Sequence, residues 1–352
     1  MMDIESQIGH IHGCYVGHAM EPTVREGAAS GGAVSAILMG LLGTGDIDGA
    51  VVSRITVQAG RLSAESFLAR SCEEILSART SIYLDFPLLH RVAELRNKMG
   101  RFAVVALPCQ IRAIEKMKAR DPELRKRIVL TIGLFCGHAS KPALIHRVLK
   151  KEGINESEIK QFYFRKGHWR GQSHLIFKDG SERMIPFLKF GLYQNLYYHC
   201  VERCLSCMDQ TAEHADMSCG DVWLREMKKN PIKHTGIVSR TRKADELLHI
   251  LNEKGILHLM SVPPESVMRA QKRALIFKKK NIAARAKLGR MFGFRIRYAG
   301  NHMPRINDWI GAFMYLLNVR LSQSHFGESL LFHMPRPLLY VYLAIMKSMI
   351  NY

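Results

Sequence analysis

The sequence has few acidic residues for its size. Asp and Glu number 31 against 51 Lys and Arg, so the 352-residue chain carries a formal net charge of +20 at pH 7. So strong a bias indicates an anionic partner: nucleic acid, a phosphorylated ligand or an anionic membrane face. The excess is concentrated, because residues 269–352 contain 15 Lys and Arg but only two acids, a net charge of +13. The basic character therefore belongs to the C-terminal part of the chain.

The sequence also lacks a long apolar run and a recognisable leader. Its longest C-terminal apolar stretches, residues 310–319 and 337–346, are shorter than the ~17–25 residues of a membrane-spanning helix. The first twenty residues lack the basic segment and following apolar run of a secretory signal peptide. We therefore expect a cytoplasmic protein whose basic segment can contact the inner membrane face. In that compartment its eight cysteines are expected to be thiols or metal ligands rather than disulfides.

The common catalytic patterns are missing too. The sequence shows no paired carboxylates, Ser-His-Asp set or Walker A lysine. His138 and His168 are candidate acids or bases by residue type alone, so no catalytic residue is predicted. The composition, 47% hydrophobic and 23% charged, is that of an ordinary globular protein and excludes a disordered chain.

Strand and helix signals alternate through the first 151 residues. Short apolar runs of the buried-strand type lie at 49–55, 102–107 and 127–135, and helical patterns lie at 31–42, 88–98, 110–118 and 142–151. This alternation predicts an α/β core with parallel strands. Beyond residue 153, alternating segments at 161–164, 174–177 and 183–186 predict an antiparallel insertion, with a hairpin turn at Asp179-Gly180.

The rest of the chain is predicted to be a cysteine-rich loop, a short α/β segment and a helical module. The loop covers 200–221; strands at 236–239 and 256–262 then flank a helix at 243–253. Because Pro263-Pro264 breaks the chain, we divide it into a catalytic domain, 1–263, and a basic helical C-terminal module, 264–352.

Within that module, residues 265–288 are predicted to form one continuous helix. Residues 269–297 hold 11 Lys and Arg and no acid, most densely at Lys278-Lys279-Lys280, and this stretch is interpreted first as a solvated helix face. A membrane-surface role is the second interpretation, since apolar and basic residues alternate there. Nucleic acid is not expected as a partner, because aromatic platforms and a known motif are missing.

Three cysteines lie unusually close together. Cys200, Cys204 and Cys207 form a C-x3-C-x2-C pattern, and Cys219 follows twelve residues later. Such thiolates can converge on one soft metal or cluster, although ordinary buried thiols are the plain alternative. Zinc sites of four cysteines usually use two C-x2-C pairs, and this segment has one, so an iron–sulfur cluster is favoured over zinc. The pattern is also the radical-SAM signature, but it lies past mid-chain and no eight strand–helix repeats follow.

Two further cysteines, Cys109 and Cys136, lie at the C-terminal ends of predicted strands, where α/β sheets place ligands. We therefore predict one [4Fe–4S] cluster held by Cys109, Cys136, Cys204 and Cys207. If one of these four is not a ligand, Cys200 or Cys219 is expected to take its place. Cys14 and Cys72 have no such context and are assigned a structural role.

Seven short motifs occur in order along the chain. They are Ala-Ala-Ser-Gly-Gly at 28–32, Arg-Thr-Ser-Ile-Tyr at 79–83, Ala-Leu-Pro-Cys-Gln at 106–110, Gly-Leu-Phe-Cys at 133–136, Phe-Arg-Lys at 164–166, Cys-Leu-Ser-Cys-Met-Asp at 204–209 and Ala-Asp-Met-Ser-Cys-Gly-Asp-Val-Trp at 215–223. Over about residues 10–290 this order resembles the beta subunit of coenzyme F420-reducing hydrogenase and its relatives, which include F420-dependent dehydrogenases and 7-hydroxymethyl chlorophyll a reductase. The resemblance implies a flavoprotein that carries FAD and, in many members, a [4Fe–4S] cluster that exchanges electrons with it.

The motifs supply candidate residues for FAD. Glycines in Ser30-Gly31-Gly32 would let backbone amides approach a phosphate where a helix begins. Ser81 and Tyr83 could contact the flavin, and Arg165 could pair with the pyrophosphate. The predicted cofactor-binding set is Ser30, Gly31, Gly32, Ser81, Tyr83, Pro108, Gln110, Arg165, Asp216, Gly220 and Asp221. Each of these residues also has a structural alternative. The glycines could simply begin a helix, and Asp216 and Asp221 could form Asx turns.

The sequence departs from the family pattern in three places. It lacks the N-terminal ferredoxin-like C-x2-C-x2-C segment of many relatives, it has Cys219 before Gly220 where a small residue is usual, and it has Ala244 where a glycine is common. The first departure implies fewer clusters and an external electron donor such as a ferredoxin. The other two affect the detailed FAD contacts.

We therefore expect an iron–sulfur flavoprotein oxidoreductase. It would relay electrons between a [4Fe–4S] cluster, FAD and a small organic substrate or an F420-like deazaflavin. Surface-polysaccharide metabolism is one setting, because some members of the family lie in such gene clusters. The alternative is a non-catalytic electron-transfer subunit of a larger complex. The basic module is expected to contact an anionic membrane or an acidic partner subunit.

Overall fold

The computed structural model describes residues 3–350, in which eleven strands form an eight-stranded and a three-stranded sheet. The strands are β1 Gly13–Ala19, β2 Gly49–Gln58, β3 Arg61–Ala69, β4 Phe102–Ala106, β5 Ile128–Leu134, β6 Ile159–Lys166, β7 Gln172–Phe177, β8 Glu182–Pro186, β9 Met217–Asp221, β10 Thr235–Ser239 and β11 Leu257–Ser261. The helices are α1 Ile4–Ile8, α2 Pro22–Gly27, α3 Ala33–Gly43, α4 Cys72–Ser77, α5 Leu89–Glu94, α6 Pro108–Arg120, α7 Pro122–Arg127, α8 Ala143–Lys151, α9 Leu188–Asn195, α10 Glu202–Leu205, α11 Arg242–Glu253, α12 Pro264–Leu275, α13 Ile282–Leu288, α14 Ile306–Ser322, α15 His325–His333 and α16 Arg336–Ile350.

The large sheet has the strand order β11-β1-β10-β9-β5-β4-β2-β3. Its central strands, β2, β4, β5 and β9, pair in parallel, and the strands at both edges are antiparallel. Strand β4 is apolar throughout because both of its faces are covered: Ala103 packs in the core that contains α3, and Phe102 and Val104 pack in the core that contains α6. Strands β6, β7 and β8 form the separate antiparallel sheet.

The predicted fold class, a parallel-strand α/β core with an antiparallel insertion, is confirmed. The open, mixed order of the large sheet is not the barrel that the radical-SAM alternative requires. The sequence patterns missed β1, β3 and β9. Strand β9 lies inside the segment interpreted as a cysteine-rich loop, because its sequence Met-Ser-Cys-Gly-Asp has little apolar character. It is nevertheless a central strand, in which Met217 is paired with Ile132 of β5.

The prediction of one continuous helix over 265–288 is wrong. A π-helical segment, Ile276–Lys280, separates α12 from α13. Such segments re-aim side chains and are frequent at functional sites. Here the segment buries Lys278, and the neighbouring Lys279 forms an ion pair with Glu213 at 2.6 Å. The solvated-face interpretation is therefore wrong for Lys278 and for the buried Arg285, whereas most basic residues of 269–297, Lys280 among them, are exposed.

The C-terminal helices pack against the region around α8 and α9. Tyr315, Leu316 and Leu339 share one hydrophobic core with Leu144 and Tyr193. Ion pairs between Arg336 and Glu152 and between Arg147 and Glu328 fasten α16 and α15 to the same region. The division of the chain at 263/264 stays a prediction.

Within residues 3–350, no single helix has the length and apolar character needed to cross a membrane. The pair α15 and α16 meets the length and composition test together, but it is bent by 105° between the two helices.

Candidate functional site

A cavity of about 1090 Å³ lies at the C-terminal ends of the central strands. Residues that follow β4 and β5, including Leu107 and Cys136, line it together with Gly220 and Asp221 at the end of β9. This is the edge of a parallel sheet at which ligands bind. The volume is at the upper end of the roughly 300–1,000 Å³ of drug-sized pockets, so a large cofactor is the natural occupant.

The first turn of α3 forms one wall of the cavity. Ala33, Val34 and Ser35 line it, and Gly32 precedes them in the left-handed conformation, with φ of +75°. No side chain among the described residues caps this helix. The first amides of an α-helix have no acceptor within the helix, and together with the helix dipole they favour an anion. The first turn of α3 is therefore suited to a phosphate group.

Ser30 and Gly31 attach this turn to the sheet. The Ser30 hydroxyl donates to the His234 carbonyl at 2.7 Å, and the Gly31 amide donates to Thr235 Oγ1 at 3.0 Å. A Cβ atom on Gly31 would lie 2.7 Å from the Gly17 carbonyl oxygen, so a larger residue would push on the β1 backbone. Gly31 is thus a packing position, and its amide is already occupied.

The structure separates the predicted cofactor residues into two groups. Those that line the cavity are Ser30, Gly32, Ser81, Tyr83, Gln110, Gly220 and Asp221. Those that do not are Gly31, Pro108, Arg165 and Asp216. Pro108 is the first residue of α6, where a missing amide hydrogen is harmless.

Three members of the first group have clear local roles. The Tyr83 ring packs on Phe164 with 5.3 Å between centroids, and burial raises the pKa of its hydroxyl despite the nearby Arg165 guanidinium. The Gln110 side chain accepts a hydrogen bond from the Leu107 amide at 2.9 Å and so caps α6. Gly220 is required because a Cβ atom there would lie 2.1 Å from the Phe135 ring.

The predicted pyrophosphate ligand Arg165 is instead bound within the protein. Its guanidinium is 3% exposed and forms an ion pair with Asp221. It also donates to the Trp169 carbonyl at 2.9 Å and lies 4.9 Å from the centroid of the Trp223 ring. These contacts fix the loop after β6 beside the cavity. Arg165 therefore shapes the cavity wall without lining it.

Asp216 is likewise internal. Its carboxylate accepts hydrogen bonds from the amide and the hydroxyl of Thr131, both at 2.7 Å. The Asp216 amide donates back to the Thr131 hydroxyl at 3.0 Å. These bonds join β9 to β5, so the structure uses this carboxylate to hold the sheet together and leaves it no contact with the cavity.

The four predicted metal ligands lie near one another, and one of them, Cys136, also lines the cavity. Cys109 is the second residue of α6, Cys136 follows β5, and Cys204 and Cys207 lie in and just after α10. The pKa of Cys109 is raised by burial and by the neighbouring Cys207 and Cys204, and that of Cys136 is raised by burial with Cys204, Cys109 and Cys207 nearby. We call Cys109, Cys136, Cys204 and Cys207 the thiol site.

Backbone hydrogen bonds bring the two cysteine loops together. The Cys136 amide donates to the Gln210 carbonyl at 2.8 Å, and the Val201 amide donates to the Ala139 carbonyl at 3.0 Å. The Ala139 amide also points at the Cys204 sulfur, at 3.5 Å. The segment after β5 and the segment that carries Cys204 therefore run side by side, which is why cysteines distant in sequence meet.

Cys204 is the thiol most inclined to ionise. Its pKa is lowered to about 6, first by its interaction with the neighbouring Cys200 thiol and further by Lys278 and the Ala139 amide, against the effect of burial. A thiolate is the form that binds metal. The Cys200 thiol itself donates to the Val201 carbonyl oxygen, at 3.6 Å.

The remaining cysteines lie apart from this group. Cys219 lines the cavity from β9, and burial alone raises its pKa to about 12. Cys14 is buried in β1, and burial raises its pKa to about 11. Cys72 is the first residue of α4. Among residues 3–350, no group of three or more His, Cys, Asp or Glu side chains has the arrangement for a single metal ion.

Two cations flank the thiol site. Lys278, from the π-helical segment, is 1% exposed; burial lowers its pKa, but the surrounding Cys207, Cys136 and Cys204 outweigh that effect, so the net shift is upward. Arg203 lies on the outer side next to Cys109 and forms an ion pair with Asp85. Sequence analysis missed Lys278 because a run of three lysines on a helix normally faces solvent.

A second group of cations at the cavity was also missed. Arg170 and Arg273 line the cavity, and both lie close to Lys347 of α16. Burial, Arg273 and Arg170 together lower the pKa of Lys347 to about 8. None of the three has a carboxylate partner in the described part of the chain. The acids on the cavity wall, Asp221 and Glu226, are paired with other arginines.

The histidine candidates differ in position. His138 lines the cavity, and its ring stacks on Tyr197 with 4.2 Å between centroids. Burial and the nearby Lys278 lower its pKa to about 3, so it is uncharged at neutral pH. His168 is exposed and does not line this cavity; its Nε2 atom lies 2.6 Å from the Asn230 carbonyl oxygen.

The sequence matches the two parts of one protein family. Residues 14–92 match the N-terminal part of the coenzyme F420 hydrogenase/dehydrogenase beta subunit, and residues 99–265 match its C-terminal part. The match ends where α12 begins.

Individual relatives are more distant. The chain is 28% identical over 248 residues to the coenzyme F420-dependent sulfite reductase of Methanocaldococcus jannaschii, covering 66% of this chain and 36% of that protein. It is 29% identical over 201 residues to one subunit of the F(420)H(2) dehydrogenase of Methanosarcina mazei, covering 56% of this chain and 53% of that protein. The chain therefore spans about half, or less, of the length of these curated relatives.

A solved structure shares the fold. A chain of the F420-reducing [NiFe] hydrogenase complex from Methanosarcina barkeri superposes with a TM-score of 0.63, covering 83% of this chain and 98% of that chain, at 19% sequence identity. At this level of identity the likeness establishes the architecture.

Proposed function

Because the chain belongs to the family of the coenzyme F420 hydrogenase/dehydrogenase beta subunit, we propose that it is an electron-transfer oxidoreductase subunit with FAD in its cavity and one [4Fe–4S] cluster at its thiol site. The observation that carries the proposal is the position of Cys136. This residue belongs to the thiol site and also lines the cavity, so the two candidate cofactor sites share a wall.

The cavity fits a dinucleotide. The uncapped first turn of α3, with Gly32 before it, would hold the pyrophosphate through backbone amides. Tyr83 and Trp223 offer aromatic surface on the cavity wall, and Ser81 and Asp221 offer hydrogen-bonding groups. The flavin ring itself would supply the exchange between two-electron and one-electron chemistry.

The thiol site fits an iron–sulfur cluster by the chemistry of its donors. It has four thiols, one of which is already inclined to ionise, and two neighbouring cations to offset thiolate charge. Thiolates are the ligands of such clusters. A single zinc ion needs all four sulfurs at about 2.3 Å from one centre, and the described residues offer no such arrangement. The zinc alternative is therefore less suited to this site.

The two-electron partner is proposed to be anionic. Arg170 and Arg273 line the cavity, Lys347 lies close to both, and none of the three has a carboxylate partner in the described chain. A deazaflavin of the F420 type, with its phosphodiester and carboxylates, matches that charge, as does a small carboxylated or phosphorylated substrate. His138 is uncharged at neutral pH and forms part of the cavity wall.

Electron exchange by the purified chain tests the proposal. The anaerobically purified protein, with its flavin and iron measured beforehand, is mixed with oxidised F420 and the one-electron donor reduced methyl viologen. We expect F420 reduction, with two viologen radicals consumed per F420, that depends on protein concentration and stops when Cys204 is replaced by serine. A chain that binds neither flavin nor iron would overturn the proposal.

The rival function is a self-sufficient enzyme that turns over a small organic substrate. The size of the cavity favours this second candidate, because it leaves room beside a cofactor. The same assay separates the two: an electron-transfer subunit exchanges electrons with F420 or viologen but achieves net substrate conversion only together with its partner. Substrate conversion by the isolated chain with only a reductant present would establish the enzyme.

A further inference from the structure

Lys278 is a buried cation whose neighbours are sulfur atoms. It is 1% exposed, and in the described part of the chain no carboxylate pairs with it. The residue before it, Phe277, lies with its ring centroid 6.4 Å from that of His138, two residues after Cys136. The charges of Cys207, Cys136 and Cys204 all raise the pKa of the Lys278 ammonium group. Lysines are almost never fully buried unless they are paired, because an ammonium group loses its hydration there. Among the described residues, the negative charge available to Lys278 is therefore that of the thiol site.

The position of Lys278 is imposed by several elements. The π-helical segment Ile276–Lys280 turns it inward, whereas Lys280, two residues on, faces solvent. Arg285, which is fully buried, donates to the Leu205 carbonyl at 3.2 Å and to the Phe277 carbonyl. Arg285 thereby links the end of α10, which carries Cys204, to the residue that precedes Lys278. Lys278 is held in place rather than free to withdraw.

We propose that Lys278 supplies a fixed positive charge that raises the reduction potential of a cluster held by the thiol site. This inference rests on the proposed function, since it assumes a cluster at the thiol site. A [4Fe–4S] centre with four thiolates is negatively charged and gains one more negative charge on reduction. A fixed cation beside it favours the reduced state, and hydrogen bonds to cluster sulfurs act in the same direction.

The inference concerns this chain rather than the family region. The family match ends at residue 265, and Lys278 lies beyond it, in the C-terminal module. The module therefore contributes a residue to a site whose four thiols all lie within the matched region. Lys278 would be a positioning and charge-compensating residue, while the thiols hold the metal.

The test compares Lys278→Met with Lys280→Met. Methionine fills a similar volume without charge or donor, and Lys280 is the same residue type in an exposed position on the same segment. The readouts are iron and acid-labile sulfide per chain and the midpoint potential from an anaerobic redox titration followed by electron paramagnetic resonance. We expect Lys278→Met to make the one-electron reduction at least tenfold less favourable, which is about 59 mV or more. Lys280→Met should match the wild-type protein.

The possible results distinguish a failure of the role of Lys278 from a failure of the proposed function. A wild-type potential in an iron-loaded Lys278→Met variant would overturn the proposed role of Lys278, although the proposed cluster would still stand. If that variant loses its iron, Lys278→Arg decides: retained iron with a near wild-type potential supports a charge requirement, and equal iron loss in both variants overturns it. A wild-type protein without iron would instead overturn the proposed function.

Discussion

Two buried motif residues of the family region, residues 14–265, are paired within that region, whereas several charged residues of the C-terminal module contact groups in the family region. In the family region, Arg165 is paired with Asp221, and the Asp216 carboxylate binds Thr131. In the module, Lys278 and Arg273 point to groups outside it. The comparison teaches that motif residues can build the walls of a site while residues outside the motifs supply its charge.

The largest effect is expected in the family region, at the thiol site. Cys204→Ser and Cys207→Ser should each remove the cluster, because a neutral hydroxyl is a poor substitute for a thiolate ligand. Iron and acid-labile sulfide per chain are the measurement. Cys72→Ser is the control, since this cysteine lies in α4, away from the thiol site. Full iron content in the Cys204 and Cys207 variants would show that the cysteines of this region do not hold a metal.

The second prediction concerns the phosphate end of the cavity. Val34→Asp would place a carboxylate at the first turn of α3, where it repels phosphate yet suits the helix dipole, so the fold should persist. Val34→Asn is the neutral control of similar size. We expect the Asp variant to bind FAD at least tenfold more weakly than the Asn variant, measured by flavin fluorescence during titration of the apoprotein. Equal affinities would place the pyrophosphate elsewhere.

The third prediction tests whether Arg165 is structural. Arg165→Met leaves the Asp221 carboxylate without its buried partner, and breaking such a pair costs about 3–5 kcal/mol. The midpoint of urea unfolding should therefore be much lower in Arg165→Met than in the wild-type protein. The control is Arg242→Ala, which removes an exposed ion pair with Glu246 and should leave the midpoint nearly unchanged. Stability unaltered in Arg165→Met, with flavin lost, would restore the role that the motif suggested: a pyrophosphate ligand.

The fourth prediction concerns the cations that the module brings to the cavity. Lys347 has a pKa of about 8, below the ordinary value near 10.5, so it is charged below pH 8 and neutral above it. Sulfate, whose charge is constant in this range, should therefore bind about two- to fivefold more weakly as the pH rises through 8, while Arg170 and Arg273 stay charged. Quenching of Trp169 and Trp223 fluorescence reports binding.

The pH step itself identifies the group. It should disappear in Lys347→Met and persist in Lys254→Met, which removes an exposed lysine at the end of α11. A step that survives in Lys347→Met would assign the titration to another residue.

The smallest effect is expected at the outer face of α16. Leu338, Val341, Ile345 and Met349 recur at helical spacing and are all exposed. With the net charge of +13 in residues 269–352, this face suits an anionic leaflet. We expect co-sedimentation with anionic vesicles to exceed that with neutral ones and to fall partly in high salt.

Variants in α16 sharpen this expectation. Val341→Ser combined with Ile345→Ser should reduce vesicle binding, and Met260→Ser, at an exposed position on β11, should not. Equal binding to neutral and anionic vesicles, or none to either, would leave a partner protein as the occupant of this face.

Much of the fold and of the thiol site could be predicted from local patterns. Cys109 and Cys136 follow apolar runs that form β4 and β5, and parallel strands bring their ends to one edge. Strand β9 was missed because its burial depends on the neighbouring strands rather than on its own residues. Lys278 was missed because a π turn, which has no sequence signature, decides which way its side chain points.

The composition and visible spectrum of the protein purified without oxygen test the central claim most directly, namely that one chain holds a cluster and a flavin side by side. The account predicts iron and acid-labile sulfide in equal amounts, stoichiometric FAD, and flavin and cluster absorption that both bleach on reduction with dithionite. A colourless protein, or one that contains zinc and no sulfide, would contradict it.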